Sequence, residues 1–309
     1  MPRNGSADAR TRTRLRVGGR AVEVTNLDRV LFPGDGITKG ELIGYYRGVA
    51  PAMLPYLRER PANLQRFPAG IGRQGFFQQE MSEGAPDWID SVTVRKEGGR
   101  VRHVVIGDAA TLVYLANQAC ITPHTWLSPR DRLNQPDQLI FDLDPSADPS
   151  PALAEAAKAL GALLRELELT PFLKTTGSRG YHVVVPLDRS MDFDGVRAFA
   201  QHAAEELVRR MPTELTIEAR KRQRRGKIYV DTLRNAYAHT AVPPFAVRAR
   251  AGAPVAAPLS WEELDDPEMH PARFTIRDLD GRLASGVNPW RDFRRRARSP
   301  SDAMRMLSG

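Results

Sequence analysis

Leu139-Ile140-Phe141-Asp142-Leu143-Asp144-Pro145 holds the centre of a 309-residue chain. Strand side chains alternate between faces, so an extended reading puts Phe141 and Leu143 on one side and Asp142 and Asp144 on the other. The apolar side can enter a core. The two carboxylates repel each other, and a divalent cation such as Mg²⁺ or Mn²⁺ lying between them and a phosphate relieves that repulsion. The plainer reading is a strand that runs out into an Asp-Pro turn. It accounts for Asp144-Pro145 but not for Asp142, because aspartate is depleted inside strands.

The elements that follow can be read in order. Ser150-Pro151 has the composition of an N-cap and first turn, and Leu153, Ala157, Leu160, Leu164 and Leu167 form one helical stripe behind it. Pro171 to Lys174 reads as a second strand. Thr175-Thr176-Gly177-Ser178-Arg179-Gly180 turns it into a third, Tyr181 to Pro186. A second helix carries Val196, Phe199, Ala200, Ala203 and Leu207, and Ile228 to Asp231 closes the set. The order βαββαβ predicts an α+β fold of the ferredoxin-like or RNA-recognition-motif type, with the first strand flanked by the third and fourth. If Phe141 and Leu143 face the helices, period two sends Val183, Val185, Ile228 and Val230 the same way. His182 and Asp231 then join Asp142 and Asp144 on the open face. Three carboxylates with no buried lysine to pair them are costly unless metal ions sit among them, which is the two-metal arrangement of phosphoryl and nucleotidyl transfer.

Composition sets limits on either side of this core. Lys+Arg 45 against Asp+Glu 37 gives a net charge of +8, which favours a polyanionic partner; a merely solvated basic surface is the alternative. One cysteine, Cys120, excludes a disulfide framework and suits a reducing cytoplasm. There is no apolar run long enough to span a membrane and no apolar signal region, so a cytoplasmic protein is expected. Residues 1–20, with six arginines and little to bury, read as a disordered basic arm. Residues 21–134 read as an N-terminal α/β lobe. In it, Ala21 to Val24 is a strand and Thr38-Lys39-Gly40-Glu41 has capping-box spacing ahead of a helix. Lys39 in that first turn is either solvated or helps the free amides hold an anion. Phe76-Phe77 is either a small core or a platform for stacking bases, and His124, beyond a helix at Thr111 to Ala119, either faces a site or caps a loop. Residues 135–290 hold the catalytic core. Within it a basic run from Arg220 to Lys227, an extended segment Ala246 to Arg250 with Arg248 and Arg250 on one face, and turn amides at Ser178 to Gly180 suit a triphosphate held opposite the metals. Residues 291–309 form a basic, exposed tail.

Taken together, the motifs Thr25-Asn26-Leu27-Asp28-Arg29, Phe141-Asp142-Leu143-Asp144-Pro145, Thr176-Gly177-Ser178-Arg179-Gly180-Tyr181-His182, Gly226-Lys227-Ile228-Tyr229-Val230-Asp231 and Val247-Arg248-Ala249-Arg250 give the chain a family likeness. It resembles the polymerase domain of bacterial ligase D and its stand-alone relatives, members of the archaeo-eukaryotic primase superfamily that act in nonhomologous end joining and gap filling. The resemblance runs from about Val24 to Trp290. It implies that Asp142, Asp144 and Asp231 hold two divalent ions, typically Mn²⁺ or else Mg²⁺, for attack of a primer 3′-hydroxyl on a nucleotide's α-phosphate. It implies that Thr176, Ser178, Arg179, His182, Arg224 and Arg248, with His124 nearby, bind that NTP or dNTP, ribonucleotides being preferred. DNA and its 5′-phosphate would meet Arg29, Lys39, Gln65, Arg66, Phe76 and Phe77, the two phenylalanines packing on template bases. The implied partners are gapped or broken DNA, Ku and a separate ATP-dependent DNA ligase, in the cytoplasm at the nucleoid.

Several positions depart from the family pattern. Arg29 and Arg179 stand where lysine is usual and Thr176 where serine is usual, which keeps charge or hydroxyl with altered geometry. Gln65 stands where the 5′-phosphate pocket usually has lysine, and the loss of one cation of three makes weaker phosphate-dependent gap binding the expectation. A nucleotidyl-lysine motif of Lys-x-Asp-Gly type does not occur, and Asp278-Leu279-Asp280-Gly281 lacks the lysine, so no nick sealing is expected. Two rivals share parts of the pattern. A haloacid-dehalogenase-type phosphatase also opens on an apolar strand ending in Asp-x-Asp, but its nucleophilic chemistry wants a parallel Rossmann-like sheet. A non-catalytic DNA end-binding module would use the fold as a scaffold and has no need of three carboxylates.

Overall fold

Residues 12–147, 150–284, 286 and 288–308 are described by a computed structural model of the protein, and they build two large sheets, each with helices against one face. The N-terminal part runs β1 (Arg12–Val17), β2 (Arg20–Thr25), β3 (Val30–Phe32), β4 (Ile37–Thr38), α1 (Lys39–Leu57), β5 (Pro61–Arg66), β6 (Phe76–Gln78), β7 (Ser91–Lys96), β8 (Gly99–Val105), α2 (Ala109–Asn117) and β9 (Cys120–Trp126). The capping box at the start of α1 forms as its spacing predicts: the Glu41 amide donates to Thr38 Oγ1, and the Thr38 amide donates to the Glu41 carboxylate. Buried Cys120 packs in this half's core.

The basic arm expected at residues 1–20 is only partly so. Residues 1–11 lie outside the described residues, but Arg12 onward is a β-hairpin, β1 pairing antiparallel with β2 through Gly18 and Gly19. Both glycines have positive φ, the backbone that a two-residue hairpin turn demands. Val17, Val22 and Val24 enter the core and Leu15 packs against it, so burial of one face repays the ordering of the strand.

The second part runs β10 (Gln138–Asp144), α3 (Leu153–Glu166), β11 (Phe172–Thr175), β12 (Tyr181–Pro186), α4 (Phe193–Arg210), β13 (Leu215–Thr216), β14 (Ile228–Asp231), β15 (Thr240–Ala241), β16 (Pro258–Leu259), α5 (Leu279–Ala284) and α6 (Ser301–Ser308). Its sheet has the order β13-β14-β10-β12-β11-β16. The first strand of the βαββαβ set, β10, therefore lies between the fourth and the third. Every pairing is antiparallel except β13 with β14, which removes the phosphatase-type parallel sheet. Leu139, Phe141, Leu143, Val183, Val185, Ile228 and Val230 all face α3 and α4 in one core.

Three expectations are corrected. Ser150 does not cap α3: its carbonyl accepts from the Leu153 amide in a preceding turn, and the helix starts without a side-chain cap. The sheet's other face is not open along its length, because Ile140, Val184 and Phe172 are apolar there too and pack with Leu127, Trp290 and Phe293. The end that carries the aspartates faces a larger cavity. Finally, residues 291–308 of the expected tail do not trail: Phe293 stacks on Trp290 with centroids 5.0 Å apart, Arg298 bridges to Leu187, and Ala303 of α6 is buried against the α3/α4 core, although the tail's arginines stay exposed.

Candidate active site

Strand register puts four chemically active side chains in one row. Asp231 of β14 pairs with Asp142 of β10, Asp142 with His182 of β12, and His182 with Lys174 of β11. Asp144, two residues along β10, shares the face. Asp142, Asp144, Asp231 and His182 line a cavity of about 250 Å³, closed from the other sheet by His124 of β9 and by Thr240 and Ala241 of β15.

The loop between β11 and β12 supplies one wall. Thr176 Oγ1 donates to the Gly180 carbonyl at 2.7 Å and accepts from the amides of Ser178 and Gly180. Those amides, expected to face a phosphate, are thus engaged inside the turn, and so is the Thr176 hydroxyl. The turn depends on both its glycines. A Cβ on Gly180 would sit 2.0 Å from the Leu143 carbonyl oxygen, and Gly177 has φ +62 with the Arg248 side chain 2.7 Å from where its Cβ would be.

Arginines make up much of the remaining wall. Arg179 and Arg224 both grip Asp144, at 3.2 and 2.8 Å, and Arg224 also lies 4.3 Å over the Tyr229 ring. Of the run from Arg220 to Lys227 only Arg224 turns inward as a buried side chain. Arg248 donates to the Thr176 carbonyl at 2.8 Å, and Arg248 and Arg250 both line the cavity. Their segment is a bend held by a Val247–Val255 bridge, not the extended strand expected.

Sequence reasoning missed three contributors. Lys174 is fully buried, with one long contact from Nζ to the Thr175 carbonyl, so the premise that no buried lysine attends the carboxylates is wrong. Arg234 lines the cavity. Asn235 behind it is wholly buried and clamps its loop to β10, its Oδ1 accepting from the Ile140 amide and its Nδ2 donating to the Ile140 carbonyl. The period-two rule that found His182 also reaches Lys174. Nothing in the local pattern announces Arg234.

Electrostatics divides the two paired carboxylates. Burial opposes charge on Asp142, but His182, Arg234 and Lys174 outweigh it and hold the carboxyl below its usual range. Burial and the nearby Asp142 push Asp231 up, although the Leu233 amide donates to it. The raised carboxyl of Asp231 beside a charged Asp142 is an electrostatic deficit that a cation would relieve. Burial, with Lys174, lowers His182 to about 4, and burial, with Arg248 and Arg234, lowers His124 to about 3, so both rings are neutral at neutral pH. His182 Nε2 lies 3.4 Å from Asp142, and His182 Nδ1 and His124 Nε2 are buried without partners. Asp142 and Asp231 fit a divalent ion. Asp144 is held by its two arginines, and among the described residues no three His, Cys, Asp or Glu side chains are gathered closely enough to enclose one.

A second cavity, about 240 Å³, lies in the N-terminal half and is lined by Arg29, Lys39, Arg66, Thr25 and Asn117 among others. Lys39 is buried, not solvated, its Nζ donating to Asn117 Oδ1 at 2.9 Å and to Thr25 Oγ1 at 3.3 Å. Burial, then Arg29, brings its ammonium down to about 8. The first amides of α1 are taken by Arg29, Leu27 and Thr38, so cations and not free amides define this cavity. Gln65 does not line it, whereas its neighbour Arg66 does, beside Arg29 and Lys39. Phe76 and Phe77 on β6 are 47% and 59% exposed, which rules out the small-core reading. Arg66 lies over the Phe76 ring, and Phe77 meets His124 edge-on with centroids 5.3 Å apart.

Comparison with known proteins identifies the family. Residues 38–290 match the family described as LigD, primase-polymerase domain. The multifunctional non-homologous end joining DNA repair protein LigD of Mycobacterium tuberculosis is 36% identical over 257 residues, covering 80% of this chain and 34% of that protein. The LigD of Pseudomonas aeruginosa is 35% identical over 297 residues, 95% of this chain and 35% of that protein. The chain thus spans about a third of the length of these relatives. The solved polymerase domain of Mycobacterium tuberculosis ligase D in complex with DNA superposes with a TM-score of 0.83 at 32% identity, covering 89% of this chain and 98% of that one. Proteins of this group generally use divalent metals. With matching sequence, fold and an acidic row beneath an arginine-lined cavity, the chain belongs to the LigD primase-polymerase domain family of DNA-repair nucleotidyltransferases.

Proposed function

We propose that this chain adds nucleotides, ribonucleotides in preference, to a primer 3′-hydroxyl at gaps or breaks in DNA, as part of end joining with Ku and a separate ATP-dependent ligase. The observation that carries this reading is the register Asp231–Asp142–His182 under a wall of arginines. Two divalent ions, Mn²⁺ by preference, would activate the 3′-hydroxyl and stabilise charge on the α-phosphate. Asp142 and Asp231 would hold them, with Asp144 joining once its guanidiniums are drawn away. Arg179 and Arg224 leave a carboxylate for phosphate oxygens of similar charge and geometry, so nucleotide entry costs no net ion pair. Arg248, Arg250 and Arg234 add charge around the triphosphate, while neutral His124 and His182 offer hydrogen bonds without adding to the cationic crowd. Thr176 acts by holding the turn that aims Ser178 and Arg179. Exposed Phe76 and Phe77 stack on template bases, and the Arg29–Lys39–Arg66 cavity takes the 5′-phosphate across the gap. Among the described residues no helix is long and apolar enough to cross a membrane, and a place in the cytoplasm at the nucleoid suits a DNA substrate.

Primer extension on gapped DNA with Mn²⁺ is the test. The wild type should extend, with rNTP ahead of dNTP, and Asp142→Ala should lose at least about a hundredfold. A wild type that binds gapped DNA without extending it would instead make the protein an end-binding module.

A further inference from the structure

The β1–β2 hairpin has two chemically opposite faces. Leu15, Val17, Val22 and Val24 turn to the core, so alternation puts Arg12, Arg14 and Arg16 together on the outer face of β1. Arg12 is paired with Glu23, the hairpin's one acid, at 3.3 Å. Arg14 and Arg16 are exposed and make no side-chain hydrogen bond or ion pair among the described residues. This ladder is continuous with the second cavity: Arg12 lies opposite Thr25 in the sheet, and Thr25 Oγ1 accepts from Lys39 Nζ inside that cavity. From there the guanidiniums step outward at alternate residues for about 13 Å, at the usual strand rise.

We infer that the outer face of β1 is a backbone track for the DNA strand leading away from the 5′-phosphate, the downstream side of a gap. The ladder offers flexible cations at a regular spacing and no fixed donor–acceptor pattern, which suits phosphates and not base edges. A protein partner would need apolar surface at the centre of its contact, and this face has only Ala21 between the charges. The inference rests on reading the Arg29–Lys39–Arg66 cavity as the 5′-phosphate site.

The test is the double variant Arg14→Ser/Arg16→Ser, which leaves the buried face untouched. Binding is followed by fluorescence anisotropy over a salt series, on 5′-phosphorylated gapped DNA whose downstream duplex is about ten base pairs or is cut to about three G·C pairs closed by an uncharged glycol loop that keeps the strand annealed. On the long substrate the variant should bind roughly three- to tenfold more weakly, with a salt slope smaller by about 1–2; on the short one it should match wild type. Equal affinity and slope on the long substrate, or an equal loss on both, overturns the track. A 5′-hydroxyl version of the short substrate separates the two claims. If wild type does not discriminate against it, the phosphate-site reading fails and the track fails with it; discrimination without a ladder effect overturns the track alone.

Discussion

Lys174 places an ammonium in the core with only a 3.5 Å contact to a carbonyl, a burial that costs stability unless another gain offsets it. Burial first, and Arg248 second, bring its pKa down to about 7, with Asp142 pulling the other way. An unfolded lysine titrates near 10.4, so between those values the unfolded chain binds the extra proton and stability rises with pH. Lys174→Met should remove that slope. Urea unfolding at pH 7 and 9 should show the wild type gaining up to about 3 kcal/mol on the variant over this interval, and parallel profiles would acquit the ammonium. The residue was within reach of sequence reasoning. Phe172-Leu173-Lys174 alternates as His182 does in its own strand, but a lysine ending a short apolar run reads as a solvated strand end until the register is known. Asp142, Asp231 and His182 could be placed because their flanking residues are apolar on the opposite parity, which leaves one solution for the face.

At the scale of elements, the regular pieces were the legible ones. Period 2 gave β12 and β14 to the residue and β10 to within one, and period 3.6 gave the buried stripe of α4 from Val196 to Leu207. Turns and irregular backbone carried weaker signals. The bend at Arg248 to Arg250 imitates strand alternation, and the charge of Arg12, Arg14 and Arg16 hid a hairpin whose Gly18-Gly19 turn is itself a signal. The turn from Thr176 to Gly180 is the element on which the site's geometry leans most. Gly180→Ala should cost about 1–3 kcal/mol or more by urea midpoint, because the added carbon meets a strand carbonyl and not a yielding side chain. Gly44→Ala in α1, where nothing lies within 4 Å, should be neutral or gain about 0.5–1 kcal/mol. A Gly180 variant as stable as the wild type would mean that β10 and the turn part easily.

At the scale of the whole molecule, the acidic and the cationic cavity belong to two sheets, and a single strand runs between them. Ala119, just ahead of β9, lines the cationic cavity, and His124, within the same strand, lines the acidic one. The extended chain from Cys120 to His124 measures about 13 Å, and β9 is braced along it by β5 with one register shift between Gln65 and Arg66. Such a strand is a ruler that does not stretch. A gap whose two ends match its length can touch both cavities at once, and each further missing nucleotide forces the DNA to bulge or let go of one end. The rate advantage of a 5′-phosphate over a 5′-hydroxyl should therefore peak at gaps of one or two nucleotides and fade as they widen, which single-turnover extension across a gap series will read directly.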